Sequence, residues 1–157
     1  MNLEESYFTK DYILMNNFPE WWNTTVTLYN RYEDSTGEIT WYRTVLTGCF
    51  WKYITEYERV GNETQMTKVL LCRVRKSKKF VENYDWENLS DKSSKFTFNE
   101  KDILVKGSVE DIIDEYTSGQ RASDLLKKYK DRCAEITEYR NNTDGGRNDE
   151  HYLVRGI

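Results

Sequence analysis

The chain has 157 residues, the length of one ordinary domain, enough to bury roughly 70% of the unfolded surface. Apolar residues are 38% and charged residues 32%, yet aromatics reach 15%, which excludes a globally disordered chain. A net charge of −4, one Pro, 8 Gly and no apolar run near ~20 residues argue against a stand-alone basic nucleic-acid binder, a fibrous repeat and a membrane-spanning helix.

The first twelve residues, MNLEESYFTKDY, are acidic and lack a signal peptide's apolar stretch, so no secretory leader is expected. Residues 1–18 read as a helix or an arm that packs on its own domain or a neighbour, and Pro19 ends it. From Thr24 the period becomes two: Val26, Leu28 and Asn30 alternate with Thr27, Tyr29 and Arg31. The cluster Glu33 to Gly37 is a turn, and Ile39 to Thr47 is a second strand, completing a hairpin. Cys49 to Tyr57 reads as a third strand or as a continuation after a bend at Gly48. Gly61-Asn62 marks the next turn, and Gln65 to Lys76 is a strand ending in a basic cluster.

Residues 82–95 read as a loop with one helical turn around Trp86 and Leu89. Phe96 to Phe98 and Ile103 to Lys106 read as short strands. Val109, Ile112, Ile113 and Tyr116 fall at helical spacing behind a Ser108 cap, which predicts a first helix. Leu125, Leu126 and Tyr129 predict a second. Cys133 to Tyr139 and His151 to Arg155 form a last pair of strands around a polar loop at 141–149. The pattern predicts about seven strands and two short helices. The fold class is mainly β (β-rich α+β): a small barrel or sandwich with long loops, one domain over 1–157, with a core at 24–157 and an N-terminal arm.

Catalytic chemistry finds no support in this pattern. His151 is the only histidine, and no nucleophile elbow, phosphate-binding glycine loop or clustered metal ligand set accompanies it. No enzyme activity, cofactor or metal is expected; a carboxylate pair among the 27 acids is the one enzymatic alternative. Cys49, Cys72 and Cys133 are odd in number and widely spaced, which suits reduced thiols of a cytosolic product.

Charge is the stronger signal. Residues 1–40 sum to −5, 41–81 to +6, 82–118 to −6 and 119–157 to +1. Blocks of alternating sign suit docking between neighbours or pairing within one fold. The candidate interface residues are therefore Arg73, Arg75, Lys76, Lys78 and Lys79 on one side, and Asp111, Asp114 and Glu115 on the other, with Trp86 in the loop between them. The basic strand over 68–79, with Trp51, Tyr53 and Phe80 nearby, also matches a small nucleic-acid-binding or regulatory protein.

Three stretches resemble the small neck proteins of tailed bacteriophages, the head-completion (stopper) and minor capsid proteins of siphovirus and prophage type. They are the hairpin Val26-Thr-Leu-Tyr-Asn-Arg-Tyr with Ile39-Thr-Trp-Tyr-Arg-Thr; Phe96-Thr-Phe through Asp102-Ile-Leu-Val-Lys-Gly; and Ser123-Asp-Leu-Leu-Lys-Lys-Tyr with the terminal strands. In the second, Lys101 stands where Gly is commoner. The resemblance spans about residues 24–155 and implies a virion protein at the head–tail junction, made in the bacterial cytoplasm. It implies a ring of copies under the portal or an adaptor, above the tail or tail-terminator protein. Packaged DNA would pass without sequence-specific contact, and no membrane, enzyme activity or cofactor would be involved.

Overall fold

The fold is described from a computed structural model for residues 18–143 and 150–157. Residues 1–17 of the predicted N-terminal arm (1–18) and most of the polar loop, 144–149, lie outside the described residues. Among the described residues there are six strands: β1 (Thr24–Glu33), β2 (Ile39–Val60), β3 (Glu63–Arg75), β4 (Ile103–Lys106), β5 (Cys133–Asn142) and β6 (His151–Gly156). In the same residues two short α-helices accompany them, α1 (Asn83–Glu87) and α2 (Ala122–Lys128). Every strand pair is antiparallel, in the order β1-β2-β3-β6-β5-β4, and β4 returns to β1. The sheet thus closes in a ring. The molecule is mainly β with two helices, as the strand pattern predicts.

Local chemistry sets each turn. Asp34 Oδ1 accepts from the Thr36 and Glu38 amides at 2.8 and 3.0 Å, so its side chain shapes the β1–β2 connection. The β2–β3 connection has two residues, with Val60 opposite Glu63 and positive φ only at the first, Gly61, the type II′ arrangement. β2 is the continuation through a bend and not two strands. Gly48 adopts φ 65° where β2 leaves β1 and joins β3, and the β1–β2 register shifts there, from Val26↔Leu46 to Thr24↔Cys49. A Cβ at Gly48 would stand 2.8 Å from Arg75 Nε.

The alternation along β1 holds. Val26, Leu28 and Asn30 point into the ring with Leu46, Leu70, Cys72, Leu104, Ile136 and Val154. Phe80 leans into this interior, its ring 4.2 Å from that of Tyr152 and 5.6 Å from that of Phe98. Tyr29 on the opposite face of β1 belongs to a second apolar cluster with Ile103, Val105, Val109, Ile113 and Leu125. There the 107–121 segment and α2 cover the outside of β1 and β4.

Two predicted elements differ. Phe96 to Phe98 is not a strand: Phe96 makes a single parallel bridge to Phe80. Residues 108–116 are not a helix, although α2 forms as predicted. The barrel side chains claim the backbone groups that a helix would use. Thr27 Oγ1 donates to Gly107 O at 2.7 Å and accepts from the Val109 amide at 3.0 Å. Tyr29 Oη donates to Asp111 O at 2.7 Å, and Arg43 Nε donates to Val109 O at 2.6 Å. Asp114 adds a competing local turn, accepting from the Tyr116 amide at 2.9 Å.

Candidate functional site

The most prominent surface feature is the outer half of the β2–β3 hairpin. Every residue from Thr55 to Lys68 is exposed. This segment extends past the closed ring by roughly 20 Å, at about 3.3 Å per residue. Register divides it into two faces. Tyr57↔Met66 and Thr55↔Lys68 lie on the face that continues inward as Tyr53↔Leu70 and Trp51↔Cys72, the core face. Arg59 lies on that face too. Glu56, Glu58 and Glu63 lie on the other, where Arg155 pairs with Glu56. The inner face therefore carries cations and exposed apolar groups, Tyr57 at 68% and Met66 at 70% exposure. Its outer face is acidic. At the root of the hairpin is a cleft of about 720 Å³, lined by Trp51, Lys52, Tyr53, Lys106, Asp131 and Arg132. The 68–79 charge pattern lies on the neighbouring strand end, from Lys68 toward Lys79. Tyr57 and Met66 gave a signal only as apolar residues beside a Gly-Asn turn.

The predicted acidic residues share the 107–121 segment but are mostly used internally. Asp111 accepts from Lys128 Nζ at 2.6 Å and from Tyr129 Oη, and these donors hold its carboxyl below the usual range. The Thr117 hydroxyl, then the Tyr116 amide, does the same for Asp114. Glu115 accepts from Trp41 Nε1 at 3.1 Å and from the Ala122 amide at 3.2 Å. What the segment offers outward is Ile112, 75% exposed, Tyr116, 64% exposed, and the exposed Glu110.

The basic residues are dispersed. Arg73 lies over the Phe50 ring at 5.0 Å, and Arg75 lies over Phe18 at 4.8 Å while donating to Trp22 O. Lys76 pairs with Glu150 at 2.6 Å. Lys78 and Lys79 are exposed. Trp86 is in the interior, 1% exposed, beneath Tyr32 and Tyr42 and donating to Lys95 O, so it holds the 82–95 loop and presents no surface. The ion pairs Arg31–Glu33, Lys76–Glu150, Lys128–Asp111, Arg155–Glu56 and Arg155–Glu138 include none joining 41–81 to 82–118.

Sequence reasoning missed one buried ionisable group. Asp102 is 1% exposed and accepts from Asn30 Nδ2 at 2.8 Å and from the Arg31 and Asn99 amides at 2.8 and 2.9 Å. Burial pushes its carboxyl up to about 7, against the pull of those donors. Asn30 also donates to Thr97 O at 2.7 Å. These contacts tie the 95–102 segment to β1, and they are structural. Cys49 and Cys72 are buried free thiols, Cys133 is half-buried and free, and contact with Cys49 together with burial pushes the Cys72 thiol up. His151 packs edge-on against Trp22 at 5.5 Å. Among the described residues no three His, Cys, Asp or Glu side chains gather to hold a metal, and no helix is long and apolar enough to cross a membrane.

No curated protein and no solved structure matches the chain. Residues 21–157 match the model of a family of unknown function, DUF6751, over the whole closed sheet and its projecting hairpin, and the chain belongs to that family.

Proposed function

We propose that this chain is a structural subunit of the head–tail connector of a tailed bacteriophage. It forms a ring under the portal or an adaptor, helps close the DNA channel, and joins the tail or tail-terminator protein below. The observation that carries this reading is the two-faced hairpin, which leaves the closed sheet with Tyr57 and Met66 uncovered. An isolated domain gains nothing by exposing apolar groups on an extension of its core face; a subunit that reaches a neighbour covers them. The resemblance of the 26–44, 96–107 and 123–155 stretches to phage neck proteins points the same way. The +6 and −6 blocks add to this, since none of the ion pairs named above joins them. The role uses no catalytic chemistry or cofactor, and packaged DNA passes without sequence-specific contact.

Nucleic-acid binding by residues 68–79 has weaker support. Arg73 and Arg75 are half-buried over the protein's own aromatic rings and Lys76 is paired with Glu150, whereas Lys68, over the Tyr53 ring, stays exposed. The deciding measurement is immunogold labelling of purified particles with an antibody against this chain. Label at the head–tail junction is the expected result. Unlabelled particles from cells that contain abundant protein would overturn the reading.

A further inference from the structure

Two exposed apolar patches of opposite charge occupy different ends of this molecule. The first is the inner face of the hairpin, where Tyr57 and Met66 are flanked by Arg59 and Lys68, with Lys106 and Arg132 in the cleft at its root. The second is the 108–116 segment, where exposed Ile112 and Tyr116 accompany exposed Glu110, while Asp111 is paired with Lys128, which with Arg121 lines the cleft beside Ile112. Tyr116 Oη accepts from the amide of Ile39, the first residue of the 22-residue β2, whereas the hairpin is made from the last six residues of that strand. One strand therefore separates the patches.

We infer that the hairpin of one copy docks on the 108–116 segment of the next copy, Tyr57 and Met66 covering Ile112, and Lys68 and Arg59 facing Glu110. The inference rests on the ring reading and specifies its contact surface. Three features select a second copy as the occupant. The charges are complementary: the hairpin's inner face carries Arg59 and Lys68 and no acid, and the outward-facing charge of the segment is Glu110, since Asp111 is paired with Lys128. Each patch also supplies the apolar surface that the other lacks cover for. Finally, the patches differ and sit apart, so the contact is head-to-tail and propagates around a ring when the rotation closes. The acidic outer face of the hairpin repels the same segment and fixes which way the hairpin lies.

The test is photo-cross-linking of the full chain with a photoreactive side chain replacing Met66. It is run on an equal mixture of unlabelled and isotope-labelled copies at high concentration, and in parallel on purified particles. Mixed-isotope cross-links that map to residues 108–116 are the expected result. Lys68→Glu lowers their yield about tenfold, and adding Glu110→Arg restores it. Both substitutions are at exposed positions, so the fold survives them. Cross-links to another hairpin, to residues 1–17, to a different particle protein or to DNA would overturn the inference, as would no intermolecular cross-link in either sample. Cross-links to 108–116 in the purified chain, with the chain absent from particles, would keep this contact and sink the neck assignment. A labelled neck with cross-links elsewhere would do the reverse.

Discussion

Asp102 and Lys101 sit side by side and are strained in different ways. Lys101 has φ 73°, the left-handed region that costs a non-glycine residue about 1–2 kcal/mol, and its amide still donates to Ile136 O at 3.1 Å. Lys101→Gly is expected to stabilise the protein by about 1 kcal/mol, read as a higher denaturation midpoint; a lower midpoint would contradict this. At Asp102 desolvation wins over three N–H donors, and the carboxyl rises from its ordinary 3.8 to about 7. The folded state then holds the proton more tightly than the unfolded state. This contribution to stability is fully present below about pH 4 and is lost as pH rises to about 7, by at most about 4 kcal/mol. Urea unfolding of Asp102→Asn between pH 4 and 8 should lose that slope. It should also cost about 1–3 kcal/mol at pH 4, because an amide nitrogen replaces one acceptor. An unchanged slope would mean that Asp102 does not titrate in this window.

The elements divide between those that local sequence controls and those that neighbours control. The β1–β2 and β2–β3 turns follow from Asp34 and from Gly61-Asn62, and both were legible. The continuation of β2 past Gly48 was legible as one of two alternatives. Gly48→Ala is expected to cost at least about 1–2 kcal/mol in thermal or chemical unfolding, from positive φ and the 2.8 Å approach to Arg75. The 108–116 segment was misread because its apolar spacing suits a helix while its partners lie on β1 and β2. Thr27 holds both the Gly107 carbonyl and the Val109 amide. Thr27→Val therefore leaves two buried backbone groups unpaired and should cost about 2–4 kcal/mol. Amide exchange should accelerate at Val109 first, and unaltered exchange there would show that the segment does not depend on Thr27. The hairpin tip behaves oppositely: Tyr57→Ser with Met66→Ser should leave unfolding within about 0.5 kcal/mol, since neither side chain is buried.

At the scale of the whole molecule, ring closure pairs the edges that would make an open sheet aggregate, except along the projecting half of the β2–β3 hairpin. The longest hairpin still carries Tyr57, Val60 and Met66 exposed on its outer half. Lys78 and Lys79 lie outside the ring, exposed, in the +6 block. Reversing both to Glu should lower the yield of tailed particles about tenfold without shifting the melting temperature. Normal particle yield would show that this end of the basic block makes no contact in assembly.

What the sequence determined by itself was local: period two in β1 and β5, the strand runs of β3 and β6, the turns, the second short helix and the block pattern of charge. These follow from spacing along the chain, because side chains in a strand alternate and turn residues act on their own backbone. The tertiary structure alone decided which charges are consumed and which remain on the surface. Arg73 and Arg75 are spent on Phe50 and Phe18, Trp86 on the interior, and Asp111 on Lys128 and Tyr129. It also decided that Asp102 is buried and that Tyr57 and Met66 are not. Burial depends on strands distant in sequence closing the ring, and no local pattern encodes where that ring ends along β2.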